Sequence, residues 1–587
     1  MKNGNRIKTS IASAAFLLAA GCGTDSAPLA DSASLGTSAV GAPAPSAVSA
    51  SATSLAAIDA SGAARFLNQA TFGPTADSIA ALTGSSYEAW IDAQLKMPRG
   101  PLALDYMDRR IQEARSDELA NYFYSYFWRS AVTGQDQLRQ RATFALSQIF
   151  VVSFANTRVT PRGMASYYDM LNRNAFGNYR TLLEDVALHP MMGIYLSHLG
   201  NQKENLATGQ NPDQNFAREI LQLMSIGLFE LNLDGTPKRD ASGNLIPTYS
   251  QDDIIGLSKV FTGISWQNPK PTANSFLGYE QTNASRFGPS WVSPMIFYPS
   301  FHSTSEKKFL GVTIPAASTP DTAGDLKVAL DTIFNHPNVA PFISRQYIQR
   351  LVTSNPSPDY VRRVAQVFIN NGQGVRGDLG AVVKAVLLDP EARNQPSDSD
   401  RAYGKLREPI LRFTHAMRAF GATSQSNNWL MTSTSSSLAL GQSPLAAPSV
   451  FNFYRPNYAP SNSNVAGMSL QAPEFQITDE LTVASYINQL RGLIEAGVGE
   501  RADVRLNLSS FAAIADNPGA LADRLNLVLM NGRMSTKLRQ RIIQTASDIR
   551  ISNGPNVRAA SINEAKEIRA RIAIFLTMGS PEYLVQR

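Results

Sequence analysis

Apolar residues recur every three to four positions through most of the chain after residue 60. The stretches SGAARFLNQATFGPTADSIAAL, YEAWIDAQL, DELANYFYSYFWRSAV, QLRQRATFALSQIFVV, YRTLLEDVAL, DLKVALDTIF, VAPFISRQYIQRLV, DYVRRVAQVFI, DLGAVVKAVLL and EPILRFTHAMRAF each carry that spacing, which marks amphipathic or buried helices rather than strands. The pattern predicts a mainly α fold, a large multi-helix globular domain over 61–587 in one body or two lobes. One segment breaks the rhythm. In FELNLDGTPKRDASGNLIPTY, Asp234-Gly235 and Ser242-Gly243-Asn244 punctuate short extended runs, the signature of a small β-hairpin. Two long stretches, 267–308 and 421–470, have no periodicity and are rich in Pro, Ser, Asn and aromatic residues. The rings of Phe276, Tyr279, Trp291, Phe297, Tyr298 and Phe301 argue that the first is ordered.

NPDQNFAREILQLMSIGLFEL, residues 211–231, adds a polar stripe to this apolar grammar. Asn211 as N-cap, Pro212 in the first turn and Gln214 at the capping-box position predict a helix start there. Asn215, Arg218, Glu219 and Gln222 then share one face. A charge forced inside a fold needs partners, so the stripe reads first as a network bonded to itself or to neighbouring backbone, and second as a working site. Three other helices, TLLEDVAL, ALDTIFN and AVVKAVLL, end in His-Pro or Asp-Pro. Proline disfavours helix in the residue before it, and His or Asp at the break can cap the next turn, so His189 and His336 read as structural.

Composition adds an address. A basic n-region (Lys2, Arg6, Lys8), an apolar run from Ile11 to Ala20 and the tetrapeptide Ala-Ala-Gly-Cys form a signal peptide over 1–21, too short an apolar run to span a bilayer. Its end resembles a bacterial lipobox, which implies a diacylated Cys22, and Gly23 after it favours the outer membrane. Cys22 is the sole cysteine, which excludes intramolecular disulfides and cysteine nucleophiles. Residues 23–60 are Ala, Ser, Gly and Pro-rich without aromatics or bases. As a flexible tether they reach roughly 35 Å, leaving the lipid as the membrane contact. Loss of the leader lowers the formal charge from +6 to about +3, so the basic balance is no argument for a nucleic-acid partner.

The chain has no Gly-rich phosphate loop, no His-Glu-x-x-His helix and no Gly-x-Ser-x-Gly elbow, which removes the signatures of P-loop, zincin and α/β-hydrolase chemistry. Of five histidines, His189 and His302 could join Glu219 and Asp253 in a metal or haem centre, since imidazole and carboxylate are common ligands. Glu219 steered by Arg218 is the simplest acid/base pair, with His189 and His302 as further catalytic candidates. No particular cofactor is implied. Asp253 has a plainer reading: Ser250 caps the helix that it opens. Asp234, Asp240, Ser242 and Asn244 supply oxygens but lack the EF-hand spacing and read as a turn. Flat rings pair with apolar sugar faces while amides and guanidiniums bond hydroxyls. On that ground Trp291, Tyr298, Asn215, Phe453, Tyr454 and Arg455 are the ligand-binding candidates, and polysaccharide is the expected ligand.

The phrases AARFLNQATFGPT, RNAFGNYRTLLEDVALHPMMGIYL, NPDQNFAREILQLMSIGL, YSQDDIIGLSKVFTGISW, FHSTSEKKFLG and PSVFNFYRPNYAP, in that order, resemble the bacterial family catalogued as domain of unknown function 1800, over nearly everything from residue 61 onward. The resemblance implies an exported, mainly helical protein with an exported protein partner, and brings no reaction. Where many relatives carry Glu-Leu-His or Glu-Leu-Phe, this chain has Gln222-Leu223-Met224, which weakens any role for a second acid or a histidine there. The address is testable: Cys22→Ala is expected to move the protein from the membrane to the soluble fraction and to abolish labelling by radioactive palmitate. Retention of the variant in the membrane overturns the lipid anchor.

Overall fold

In a computed structural model, residues 58–114, 119–280, 287–551 and 558–587 are described. The leader, Cys22 and the tether as far as residue 57 lie outside them. The fold is mainly helical, 52% helix against 6% strand, so helix packing sets the architecture and the strands act as clasps. Ala57–Arg587 forms one compact unit. Its apolar core runs without a break from Ala63 near one end of the chain to Tyr583 near the other. Each sheet is a two-stranded antiparallel pair: Ile264–Ser265 with Ile296–Phe297, Lys307–Phe309 with Val312–Ile314, Lys405–Leu406 with Val585–Gln586, and Thr423–Ser424 with Val504–Arg505. Among the described residues no helix is long and apolar enough to cross a membrane.

Most periodic stretches fold as their spacing predicts, among them Tyr87–Lys96, Thr322–Asn335, Val339–Leu351, Pro358–Ile369, Leu379–Leu388 and Pro409–Ala419. The helix from Gln137 stops at Ser147, short of the expected 152. Ile149 and Phe150 turn back on the helix end, both amides donating to Leu146 O at 3.0 and 2.8 Å, and the buried chain leaves the helix at Val151 and Val152. The proline breaks behave as read. The Nδ1 atoms of His189 and His336 accept from the amides of Met191 and Asn338, both at 3.2 Å, and the Asp389 carboxylate accepts from Glu391 N at 2.9 Å. Ser250 and Asp253 form a reciprocal capping box on the helix Gln251–Val260.

The 211–231 segment departs from expectation. Its helix is only Asn215–Gln222. The carboxylate of Asp213, rather than Asn211, takes the amide of Asn215 at 2.8 Å. Beyond Leu223 the chain turns back through Gly227 (φ +72°), where an added Cβ would stand 2.7 Å from the Phe342 ring; only glycine combines that dihedral with that approach. The hairpin is present as isolated antiparallel bridges, Phe229 to Pro247, Leu231 to Pro237 and Arg239 to Leu245. Two of these pairs contain a proline, which has no N–H to give a ladder, so no regular strand develops. Asp240 accepts from the amides of Ser242 and Asn244 at 2.9 and 2.8 Å, the turn that was expected rather than an ion site.

Deep in the core lies a charged cluster. The ammonium of Lys405 donates to the carbonyls of Gln349 and Arg350, each at 3.0 Å, and faces Glu474 at 3.1 Å and Glu408 at 3.9 Å, with all three side chains almost fully enclosed. Burial alone would push the Glu408 carboxyl up. The charges of Lys405, Arg141 and Arg350 outweigh it and hold Glu408 below its usual range. Removing one member leaves the others uncompensated in a low-dielectric interior. Glu408→Ala is therefore expected to cost about 3–5 kcal/mol by chemical denaturation. Glu495→Ala, which breaks the exposed pair with Arg491, is expected to cost no more than about 1 kcal/mol. Equal losses in the two variants contradict this account.

Candidate functional site

The helix Val339–Leu351 sets four side chains along one side at positions 342, 345, 346 and 349, a spacing of three, four and seven residues. They face a groove of about 540 Å³. Its other walls are the end of the 215–222 helix (Gln222, Leu223), the bridged segment with Leu228, Phe229, Leu231, Pro237 and Leu245, and the loop carrying Phe451, Arg455, Pro456 and Asn457, closed by Gln471. The Gly227 turn places the second wall against the first through its contact with Phe342.

Three phenyl rings, at 229, 342 and 451, alternate in this lining with side-chain amides. Gln471 is fixed by two bonds with Asn355, its amide to Oδ1 at 2.8 Å and its carbonyl from Nδ2 at 2.9 Å. Its Oε1 accepts from Arg345 Nη2 and from Gln349 Nε2, both at 3.1 Å. Gln346 and Gln349 are 5% and 1% exposed, and Gln346 Nε2 and Gln349 Oε1, themselves closed to solvent, have no hydrogen-bond partner among the described residues. A buried donor and a buried acceptor left open cost free energy unless something bonds them. Arg455 is exposed and lies over the Phe451 ring at 4.7 Å. Among the described lining residues there is no carboxylate and no histidine. The groove can stack and hydrogen-bond a ligand, and can attract negative charge.

Of the residues singled out from the sequence, Arg455 lines the groove and Tyr454 lies behind it. Tyr454 is buried under the Arg350 guanidinium at 4.8 Å. Phe453 is half-buried and outside the lining. Trp291 and Tyr298 belong to the interior instead. Trp291 packs edge-on against Trp266 at 4.6 Å, and the Tyr298 hydroxyl donates to Trp266 O at 2.6 Å. Their rings fill the fold because the 267–308 stretch uses aromatics in place of helix periodicity to make its core. Asn215 is exposed on another surface, bonded to Ser197 Oγ at 3.4 Å. Phe342, Arg345, Gln346 and Gln349 were missed; the polar pairs inside VAPFISRQYIQRLV were the available signal.

The metal quartet does not assemble. His189 caps its helix and meets Ser166 Oγ through Nε2 at 3.3 Å, and burial lowers it to about 3. His302 is fully buried between Asp325, 2.9 Å from Nε2, and the Thr262 carbonyl, 2.8 Å from Nδ1. Lys307 shares the Asp325 carboxylate at 2.9 Å, so the histidine phrase FHSTSEKKFLG ties three segments together. Asp253, besides its capping box, accepts from Leu310 N at 2.7 Å. Among the described residues no three His, Cys, Asp or Glu side chains are grouped to hold a metal ion.

Nor is the polar stripe a network bonded to itself. Arg218 donates to Gln251 Oε1 at 3.0 Å, and Gln222 accepts from the Tyr249 hydroxyl at 3.3 Å. Glu219, 7% exposed, keeps an Oε2 without a partner. Burial pushes its carboxyl up to about 7 against the opposing pull of Arg218, and its charge adds to the burial that pushes the Tyr195 phenol up to about 12.

With this geometry in view, residues 65–585 match the family described as a protein of unknown function, DUF1800, and the chain belongs to that family. No curated protein and no solved structure matches the chain.

Glu219 gives a stability test. From its ordinary 4.5 to about 7, the folded protein holds a proton that the unfolded chain has released, so stability falls as pH rises through that window. Glu219→Gln removes the term. The variant is expected to match the wild type near pH 4 and to exceed it by roughly 1–2 kcal/mol at pH 8, allowing for residual hydration of the carboxyl. Thermal unfolding at the two pH values reads the difference. A variant less stable at pH 8 overturns it.

Proposed function

We propose that this member of the family is an envelope-anchored lipoprotein that binds an extracellular or envelope polymer, carbohydrate by preference, in the groove beside the Val339–Leu351 helix. One observation carries the reading. The groove walls set three phenyl rings beside the side-chain amides of Gln222, Gln346, Gln349, Asn457 and Gln471. A sugar presents the matching surfaces, apolar C–H faces for the rings and hydroxyls that both donate and accept. The volume falls within the range of small-ligand sites. The lipobox and tether supply the address, holding the groove clear of the outer membrane, and the lipid on Cys22 is the membrane contact.

Binding is favoured over cleavage because the lining holds no carboxylate, whereas glycoside hydrolysis generally uses two. A second reading, hydrolysis, rests on Glu219 alone. It precedes the groove residue Gln222 by one turn of the same helix and carries a carboxyl that titrates near neutrality, as general acid/base work requires. Hydrolysis requires release of new reducing ends that Glu219→Gln abolishes without loss of binding.

The binding reading is tested with full-length protein in detergent on a glycan array, followed by calorimetry. Wild type is expected to retain a defined saccharide class. Phe342→Ala, with its unfolding temperature checked, is expected to weaken that binding at least about tenfold, or 1.4 kcal/mol. An array without a hit, or a Phe342→Ala variant of unchanged affinity, removes the proposal.

A further inference from the structure

Among the described residues that line it, the groove holds two positive charges and no negative one. Several arginines near the surface are matched by an acid: Arg162 with Asp108 and Arg180 with Asp331, each at 2.6 Å, and Arg363 with Asp389 at 2.7 Å. Two arginines of the interior without an acid spend their N–H groups on backbone carbonyls. Arg418 donates to Gly73 O and Val132 O at 2.6 and 2.8 Å, and Arg569 to Ile549 O and Ala515 O, both at 2.9 Å. Arg345 and Arg455 do neither, as Arg218 and Arg393 also do not, but the first two share one groove. The hydrogen bond of the Arg345 guanidinium goes to a side-chain amide oxygen, that of Gln471, and the Arg455 guanidinium rests on the Phe451 ring. Neither forms an ion pair among the described residues.

We infer that the ligand is an acidic saccharide, whose ring carboxylates pair with Arg345 and Arg455 while its hydroxyls meet the side-chain amides of the groove walls. This rests on the carbohydrate reading and narrows it. A guanidinium presents a planar fork of donors that matches a carboxylate two bonds at a time. Partial enclosure strengthens that attraction relative to open water. Burial also holds Arg345 below its usual range with no acid to oppose it, so an anionic ligand supplies the charge that the fold leaves out. Within the lining, side-chain amides outnumber cations, which fits a chain with several hydroxyls per carboxylate better than an acidic peptide, whose carboxylates dominate its polar surface.

The test is calorimetry on full-length protein in detergent with three probes: a tetragalacturonate, the same tetrasaccharide with its carboxyls reduced to alcohols, and a tetraglutamate peptide. The acidic saccharide is expected to bind at least about tenfold more tightly than its reduced form at low salt. That ratio should narrow in about 0.5 M sodium chloride, as screening demands. Arg345→Gln and Arg455→Gln should each lower affinity for the acidic probe by about five- to fiftyfold and leave the neutral probe within twofold. Arg345→Gln should hold or raise the unfolding temperature, because it removes an uncompensated charge. Equal affinity for the acidic and reduced saccharides overturns the inference and leaves the carbohydrate reading standing. Failure of both saccharides to bind removes the two together. Preference for tetraglutamate, or variants that lose acidic and neutral binding alike, also overturns it.

Discussion

The Lys405 ammonium, enclosed on all sides, is the constraint that the groove depends on. With no water to solvate it, it must be met by oxygen, and it draws on two carboxylates and on the last carbonyls of the Val339–Leu351 helix. Arg141 adds a third bond there, to Arg350 O at 2.6 Å. Cations gathered at a helix C-terminus also oppose its negative end. The helix is thereby fixed both along its axis and about it. Its outer face, with Phe342, Arg345, Gln346 and Gln349, is presented to the groove because its last turn is held from behind. The same cluster reaches the third wall: Arg350 lies over Tyr454, next to Arg455, and Glu474 follows closely on Gln471.

Charge is treated differently on the two sides of that helix. Behind it, cations and carboxylates oppose each other at close range, so Glu408 stays below its usual range even in full burial. In front of it, two guanidiniums meet amides and a ring, and a buried amide donor and acceptor stay open. Behind the helix the Lys405 ammonium is met by two carbonyls and two carboxylates, whereas the two groove arginines have no acid beside them. Buried polar groups without a partner occur in several parts of the core, but here two guanidiniums without an acid, three phenyl rings and five side-chain amides converge on one concave surface. That convergence, more than the cavity's size, makes the groove the place to look for a ligand.

Local grammar was legible and long-range closure was not. The His-Pro and Asp-Pro caps at 189, 336 and 389 and the Ser250–Asp253 box depend on atoms within a few residues, and the sequence displays them. Apolar spacing located the long helices for the same reason. The 211–231 segment was misjudged because its helix ends where Gly227 must pass under Phe342, a residue more than a hundred positions later. Its polar stripe and the one in VAPFISRQYIQRLV look alike in sequence. Which of them lines a cavity is decided by what packs across from each, and no local pattern encodes that. The grouping of His189, His302, Glu219 and Asp253 had the same weakness: the residue types suited a metal, and only the fold could say that the two histidines and Asp253 bond elsewhere.

PSVFNFYRPNYAP illustrates the limit at the scale of neighbouring residues. As an aromatic, arginine-bearing phrase it reads as one binding segment, yet adjacent side chains have opposite fates. Tyr454 turns inward and is 1% exposed beneath a core guanidinium, whereas Arg455 turns outward over Phe451. The two side chains part at a bend, entered through Asn452 at φ +66°, rather than along a strand. A loop that must both lock onto a charged core and offer a cation to a groove can do so in two consecutive residues. The inward residue has the structural task and the outward one is free for recognition, so the segment's two roles support each other: the grip on Arg350 holds Arg455 in place at the groove wall.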